Sequence, residues 1–272
     1  MKFTLTLLGT GGSAGLPQIG GADGSGDWGM CDPLEPRNAR SRASAVVACG
    51  GSRLLIDTSP ELRLQLIANR IGRIDAVLFT HPHADHIAGL DEVRILNRLL
   101  GAPIPGYSTE QTWAELRRRF DYAFKPWVAP EPGQPPSFFR PVIETHLVAP
   151  GAIHTINGWN VNVIGQDHGF GPTLGLRFGN VAYCTDVVRF DDEALAQLRD
   201  LDTWVIDCFT RGPRHPSHAN LEQVLAWEAQ LRPRRTILTH MGPDMDYGAL
   251  RASLPARMEP GYDGMIIEGE FV

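Results

Sequence analysis

The chain has 272 residues, 43% hydrophobic and 21% charged, with a formal net charge of −6 and a pI near 5.8. That balance supports a buried core and excludes a disordered chain. An acidic surface also argues against a long nucleic acid as partner, and no apolar run approaches the length of a membrane span. Cys31, Cys49, Cys184 and Cys208 form no Cys-x-x-Cys pair, so a reduced, cytoplasmic setting is expected. The N-terminal stretch alternates and stops at Gly9, which does not read as a signal peptide.

In chain order, Lys2 to Leu8 reads as a first strand, followed by the glycine loop Gly9-Thr10-Gly11-Gly12-Ser13-Ala14-Gly15. The loop lacks the closing Gly-Lys-Ser/Thr of a P-loop and the spacing of a dinucleotide fingerprint, so it reads as a tight turn. Residues 16–42 are irregular, rich in Gly, Pro and Asp, and hold Trp28, Cys31, Asp32, Asn38, Arg40 and Arg42. A loop of this length inside a domain is commonly functional. Its arginines are either solvated or placed to clamp a phosphate bidentately. Two strands, Ala43 to Ala48 and Ser52 to Ile56, flank the hairpin signal Gly50-Gly51.

Helices are predicted over Pro60 to Ala68, Asp91 to Leu100 and Thr109 to Phe120, with a buried strand over Ile74 to Phe79. Arg117, Arg118 and Arg119 spread around the third helix and read as a solvated face. Residues 124–136 form a proline-rich surface excursion. From Pro141 to Cys184 the chain alternates in the β manner. The last third predicts a helix over Asp192 to Leu198, a strand over Trp204 to Ile206, a helix over Asn220 to Leu231 and a strand over Thr236 to Leu238. No internal repeat is strong enough to name.

The stretch Thr80-His81-Pro82-His83-Ala84-Asp85-His86 follows the buried strand and carries three imidazoles and a carboxylate. Neutral imidazole nitrogens and carboxylate oxygens are ligands for divalent metals. On a strand end, His81 and His83 share a face because side chains alternate. Asp85 and His86 then swing toward a second position as the chain turns. One short loop cannot surround two ions, so partners must come from elsewhere.

His81-x-His83-x-Asp85-His86 resembles the signature of the metallo-β-lactamase superfamily of metal-dependent hydrolases. The resemblance implies a mixed α/β (α+β) fold, a four-layer αββα sandwich, here as one hydrolase domain over 1–272 with a loop insert at 16–42. It also implies that later strand ends complete the site. By that resemblance His81, His83 and His168 hold a first metal, Asp85, His86 and His240 a second, and Asp186 bridges them. The glycine loop, Tyr183 to Asp186, Ser217-His218-Ala219-Asn220, Ile237 to His240 and Tyr262-Asp263-Gly264-Met265 resemble the PhnP-like phosphoribosyl cyclic phosphate phosphodiesterase branch.

That branch implies a small cyclic-phosphate or nucleotide-like phosphodiester as substrate and His218 as general acid. It implies an attacking hydroxide shared by two ions, Mn2+ or Zn2+, with Asp85 also orienting it. A homodimer is expected by the same resemblance. Asp57, Asp167 and Asp207 are candidates to accept hydrogen bonds from ligand imidazoles, while His146, His154 and His215 match no motif. The branch's type member carries a cysteine cluster for a structural zinc after the glycine loop; here that segment offers only Cys31, so no such zinc is expected. Two alternatives remain: a thioesterase, lactonase or RNA-end nuclease on the same metals, and a noncatalytic nucleotide-binding or cofactor-biosynthesis carrier.

Overall fold

The computed structural model describes residues 1–271 other than 133 and 135; part of the expected excursion at 124–136 thus lies outside the described residues. The strands are β1 (Lys2–Gly9), β2 (Ser44–Cys49), β3 (Ser52–Ile56), β4 (Ala76–Leu78), β5 (Ile104–Ser108), β6 (Ile143–Leu147) and β7 (Ile153–Ile156). They continue with β8 (Trp159–Asp167), β9 (Pro172–Phe178), β10 (Val181–Cys184), β11 (Thr203–Asp207), β12 (Arg235–Thr239), β13 (Met258–Pro260) and β14 (Ile266–Glu270). The helices are α1 (Leu62–Ala68), α2 (Ala84–Ile87), α3 (Val93–Leu100), α4 (Glu110–Arg119), α5 (Asp192–Gln197), α6 (Leu221–Leu231) and α7 (Tyr247–Ser253). The alternating segments predicted from the sequence are present; β5, β13, β14 and α7 carry too few residues of clear periodicity to be read that way.

Two sheets result, ordered β14-β1-β2-β3-β4-β5-β6 and β13-β12-β11-β10-β9-β8-β7. Each passes from antiparallel to parallel pairing. In the first, β14 through β3 are antiparallel and β3 through β6 parallel. In the second, β7 through β10 are antiparallel and β10 through β13 parallel. The two halves therefore repeat one plan in space that leaves no readable repeat in the sequence.

The period-2 alternation of each strand decides the layers. Leu5, Leu7, Val47, Leu54 and Ile56 face Val163, Leu176, Phe178 and Val205 of the other sheet in a shared core. The alternate residues Val46, Leu55 and Val77 turn outward and are covered by Leu62, Val93, Leu96, Trp113 and Leu116 from α1, α3 and α4. On the far side, Trp204, Ile206 and Leu238 are covered by Ala194, Val224 and Leu250 from α5, α6 and α7. This is the expected αββα sandwich. Among the described residues no helix is long and apolar enough to cross a membrane.

Candidate metal centre

Most of the chemistry sits at the C-terminal ends of strands in the parallel halves, as open parallel sheets generally have it, and the antiparallel β8 adds His168. After β3 comes Asp57, after β4 the histidine loop, after β8 His168, after β10 Asp186, at the end of β11 Asp207 and after β12 His240. Asp57, Asp186 and His240 all take left-handed backbone conformations, with φ of 62°, 54° and 53°. Such non-glycine residues carry strain that concentrates at functional sites.

Asp186 lies at the middle of the cluster. Its Oδ1 is 3.8 Å from His81 Nε2, 3.7 Å from His168 Nε2 and 3.4 Å from His240 Nε2, and its Oδ2 is 3.1 Å from His86 Nε2. On one side His168 Nε2 and His83 Nδ1 approach to 3.2 Å. On the other, Asp85 Oδ2 lies 3.3 Å from His86 Nε2 and 3.4 Å from His240 Nε2. The structure thus brings all seven sequence-predicted ligands together, as His81, His83 and His168 and as Asp85, His86, Asp186 and His240, and it also sets His218 within the same reach of His168 and Asp186 and of Asp207 and His240.

The route to this geometry differs from the sequence expectation at one point. His81 and His83 do not share a strand face, because β4 ends at Leu78 and His83 already occupies the N-cap of α2. The turn between strand and helix aims both rings inward, and Asp85 and His86 fall in the first turn of α2. Arg119 Nη1 donates to the Pro82 carbonyl at 2.7 Å, so one of the three arginines expected to be solvated is tied to the histidine loop.

A single buried carboxylate orients two rings. Asp57 Oδ2 accepts from His86 Nδ1 at 2.7 Å and from Thr80 Oγ1 at 2.7 Å, and Thr80 Oγ1 lies 3.0 Å from His81 Nδ1. With the Nδ1 side of each ring committed, the Nε2 side faces the cluster. The Ser217 carbonyl does the same for His168 Nδ1 at 2.6 Å. Asp57 is therefore an outer partner as expected. Asp167 is not: it pairs with Arg189 at 2.7 Å and accepts from the Gly169 N–H. Thr80 and the Ser217 carbonyl went unread in the sequence, since a hydroxyl within the motif and a backbone oxygen leave no distinguishing signal.

Asp207 accepts from His218 Nδ1 at 2.9 Å, and His218 Nδ1 is 4.0 Å from Asp186 Oδ1. The His218 ring is buried and stacks on His240 and Phe209, with centroids 4.6 and 5.1 Å away. It stands at the start of α6, where Asn220 caps the helix as expected. His215, which matched no motif, lies 5.2 Å from His218 and holds Ser217 through its Nδ1. His146 and His154 lie elsewhere, against Tyr107 and the Ala149 backbone.

Charge divides the cluster. Burial pushes the imidazoles of His81, His83 and His168 down. Burial also opposes protonation of His86 and His240, but the carboxylates around them outweigh it; Asp186, Asp85 and Asp57 raise His86, and His240 rises to about 9. Burial would raise the carboxyls of Asp85 and Asp186, yet the facing imidazoles hold both below the usual range.

The donor set tests whether metals fit. His81 Nε2 and His86 Nε2 are fully buried and have no hydrogen-bond partner. An orphaned buried nitrogen is costly unless something else meets its lone pair. Five imidazoles and two carboxylates, converging on two adjacent points with no thiolate, suit divalent ions such as Zn2+ or Mn2+.

Residues 52–241 match the family model described as a beta-lactamase superfamily domain. A solved structure of a new diphosphatase from the PhnP family is 34% identical, with 100% of this chain and 98% of that one aligned at a TM-score of 0.87. The chain therefore belongs to the beta-lactamase superfamily of metallo-β-lactamase-fold hydrolases, in its PhnP-family branch. Two further relatives are an octanoyltransferase of Porphyromonas gingivalis, 29% identical over 95% of this chain, and the anti-Pycsar protein Apyc1 of Bacillus phage 010DV004, 28% identical over 80%. The chain spans 50% of the octanoyltransferase's length and 90% of Apyc1's.

Proposed function

We propose that this chain is a metal-dependent phosphodiesterase acting on a small cyclic-phosphate or nucleotide-like phosphodiester. In this reading His81, His83 and His168 hold one divalent ion, Asp85, His86 and His240 hold a second, and Asp186 serves both. Bound there, such ions supply Lewis-acid charge at the phosphate and activate water for attack. The protein's own part is to hold them apart and dry. The outer groups Asp57, Thr80 and the Ser217 carbonyl keep the rings of His86, His81 and His168 turned the right way.

The observation that carries the reading is the His218–Asp207 pair. His218 stands outside the ligand set, buried beside Asp186, and its Nδ1–H is committed to a carboxylate that can only accept. Its Nε2 is thereby the atom left to pass a proton to a leaving alkoxide. Stacking on His240 and Phe209 fixes the ring plane, and the Val187 N–H, donating to the same Asp207 oxygen at 3.0 Å, fixes the carboxylate.

Hydrolysis of bis-p-nitrophenyl phosphate and of a phosphodiester with an alkoxide leaving group, with Mn2+ or Zn2+, tests this. In His218→Ala, kcat on the alkoxide substrate is expected to fall about 10²–10⁴-fold, the range for general acid catalysis. The nitrophenyl ester should suffer less, because its leaving oxygen needs no proton. A metal-loaded wild type inert on both esters overturns the assignment. Thioester and lactone substrates run alongside test acyl-ester hydrolysis. The reading includes a homodimer in the cytoplasm, which gel filtration and cell fractionation check.

A further inference from the structure

The loop between β11 and α6 carries His218 and is pinned at its neck. The Phe209 N–H donates to the Ala219 carbonyl and the Leu221 N–H to the Thr210 carbonyl, both at 2.9 Å. Beyond the neck, residues 213–217 make few bonds. Pro213 and Pro216 bring no N–H, and among the described residues every hydrogen bond of this stretch runs through Ser217.

Ser217 faces two ways. Its carbonyl accepts from His168 Nδ1 at 2.6 Å. Its N–H and its hydroxyl meet His215 Nδ1 at 3.4 and 3.2 Å. The β8–β9 turn docks closely here: a Cβ on Gly169, which has a φ of 82°, would stand 2.2 Å from the Pro216 carbonyl oxygen. The residue after Ser217 is His218. One short segment thus sets both the His168 ring and the proposed acid, and one imidazole holds that segment from outside.

The local sequence suits His215 to this task. Standing before a proline, it is biased to extended backbone. Its ring lies against Phe209 and His218, with centroids 5.1 and 5.2 Å away. Its Nδ1 reaches the N–H two residues on, the pattern of an Asx turn with imidazole in place of the carboxamide. A backbone N–H can only donate, so Nδ1 accepts and the ring proton sits on Nε2. Burial and the neighbouring His218 push this imidazole down, which keeps it neutral and able to accept.

We propose that His215 is a positioning residue: through Ser217 it fixes the orientation of His168 and the location of His218. The proposal rests on the metal-hydrolase reading for what those two histidines do. An asparagine at 215 sets its carboxamide oxygen where Nδ1 stands, whereas a glutamine carries its polar group out to where Nε2 stands. Zinc-loaded wild type, His215→Asn, His215→Gln and His215→Ala are titrated with a chelator, and kcat and KM are measured on a phosphodiester with an alkoxide leaving group. In the Ala and Gln variants one of the two ions should be held about tenfold more weakly, the low end for an outer partner, and kcat should fall by a similar factor at constant KM. His215→Asn should recover most of both losses. Recovery by Gln where Asn fails overturns the proposal, because the working atom is then Nε2; so does one result common to all three variants. If the variants do not fold, the imidazole nitrogen resonances of the wild type decide. The proposal requires His215 with Nδ1 bare and Nε2 protonated, and the reverse tautomer sinks it. A wild type that holds no zinc or leaves the ester intact, with His215 in the required tautomer, strikes the phosphodiesterase reading instead.

Discussion

The metal centre and the loop of residues 16–42 are both dense in polar groups, and they satisfy them differently. At the centre, the rings of His81 and His86 have their outer nitrogens tied to protein, while their inner nitrogens face carboxylates without making a hydrogen bond. In the loop, side chains answer one another. Arg40 Nη2 donates to the Met245 carbonyl at 2.6 Å and to Asn38; Asn38 in turn donates to Asp246 at 2.7 Å and accepts from the Tyr247 N–H. Cys31 donates to the Pro243 carbonyl, and Asp263 accepts four bonds from Thr10 and Ser41. Among the described residues, the loop's buried side-chain atoms without a partner are Nε and Nη1 of Arg40.

The sharpest break is Asp186→Ala. It removes the one carboxylate facing both groups, so metal content measured by elemental analysis should drop below one ion per chain. Phosphodiester hydrolysis should fall by more than the roughly 10–100-fold typical of an outer partner. Full retention of metal would mean the two groups do not act as one centre. Asp57→Asn comes next. It leaves every proposed ligand in place but disturbs the hold on His86 and Thr80, so metal affinity should weaken about 10–100-fold and activity should return with excess metal.

Arg40→Met moves to the loop. Losing its bonds to Met245 and Asn38 should cost about 1–3 kcal/mol in urea unfolding, with metal content unaltered. A loss of metal in this variant would blur the division drawn here.

The smallest effect is electrostatic. Burial lifts the Asp263 carboxyl to about 6 despite the bonds from Ser41 and Thr10. Its folded pKa thus exceeds the unfolded value, so its stabilising contribution is fully present below the unfolded pKa and is lost as pH rises through about 6. The melting-temperature advantage of wild type over Asp263→Asn should therefore grow by a few degrees as pH falls from 7 to 5; a gap that narrows contradicts the sign.

Much of this was legible in the chain. The spacing His81-x-His83-x-Asp85-His86 and the strand-end positions of His168, Asp186 and His240 define the donor set, and the alternation of apolar residues defines the strands that carry it. The reason is local: strand period and turn chemistry are written in neighbouring residues. The arginines were less legible. Arg40 and Arg42 look alike in the sequence, yet one is a buried anchor and the other a partly exposed ion pair.

Local pattern settles which residue ends a strand, and so which donors the chain can offer. It does not settle which ends meet. His83 finds His168 across 85 residues and Asp85 finds His240 across 155, through the pairing of two sheets whose order no short-range signal encodes. That pairing decided that Asp57 rather than Asp167 orients the rings, that Arg119 reaches the histidine loop, and that His218 has Asp207 behind it.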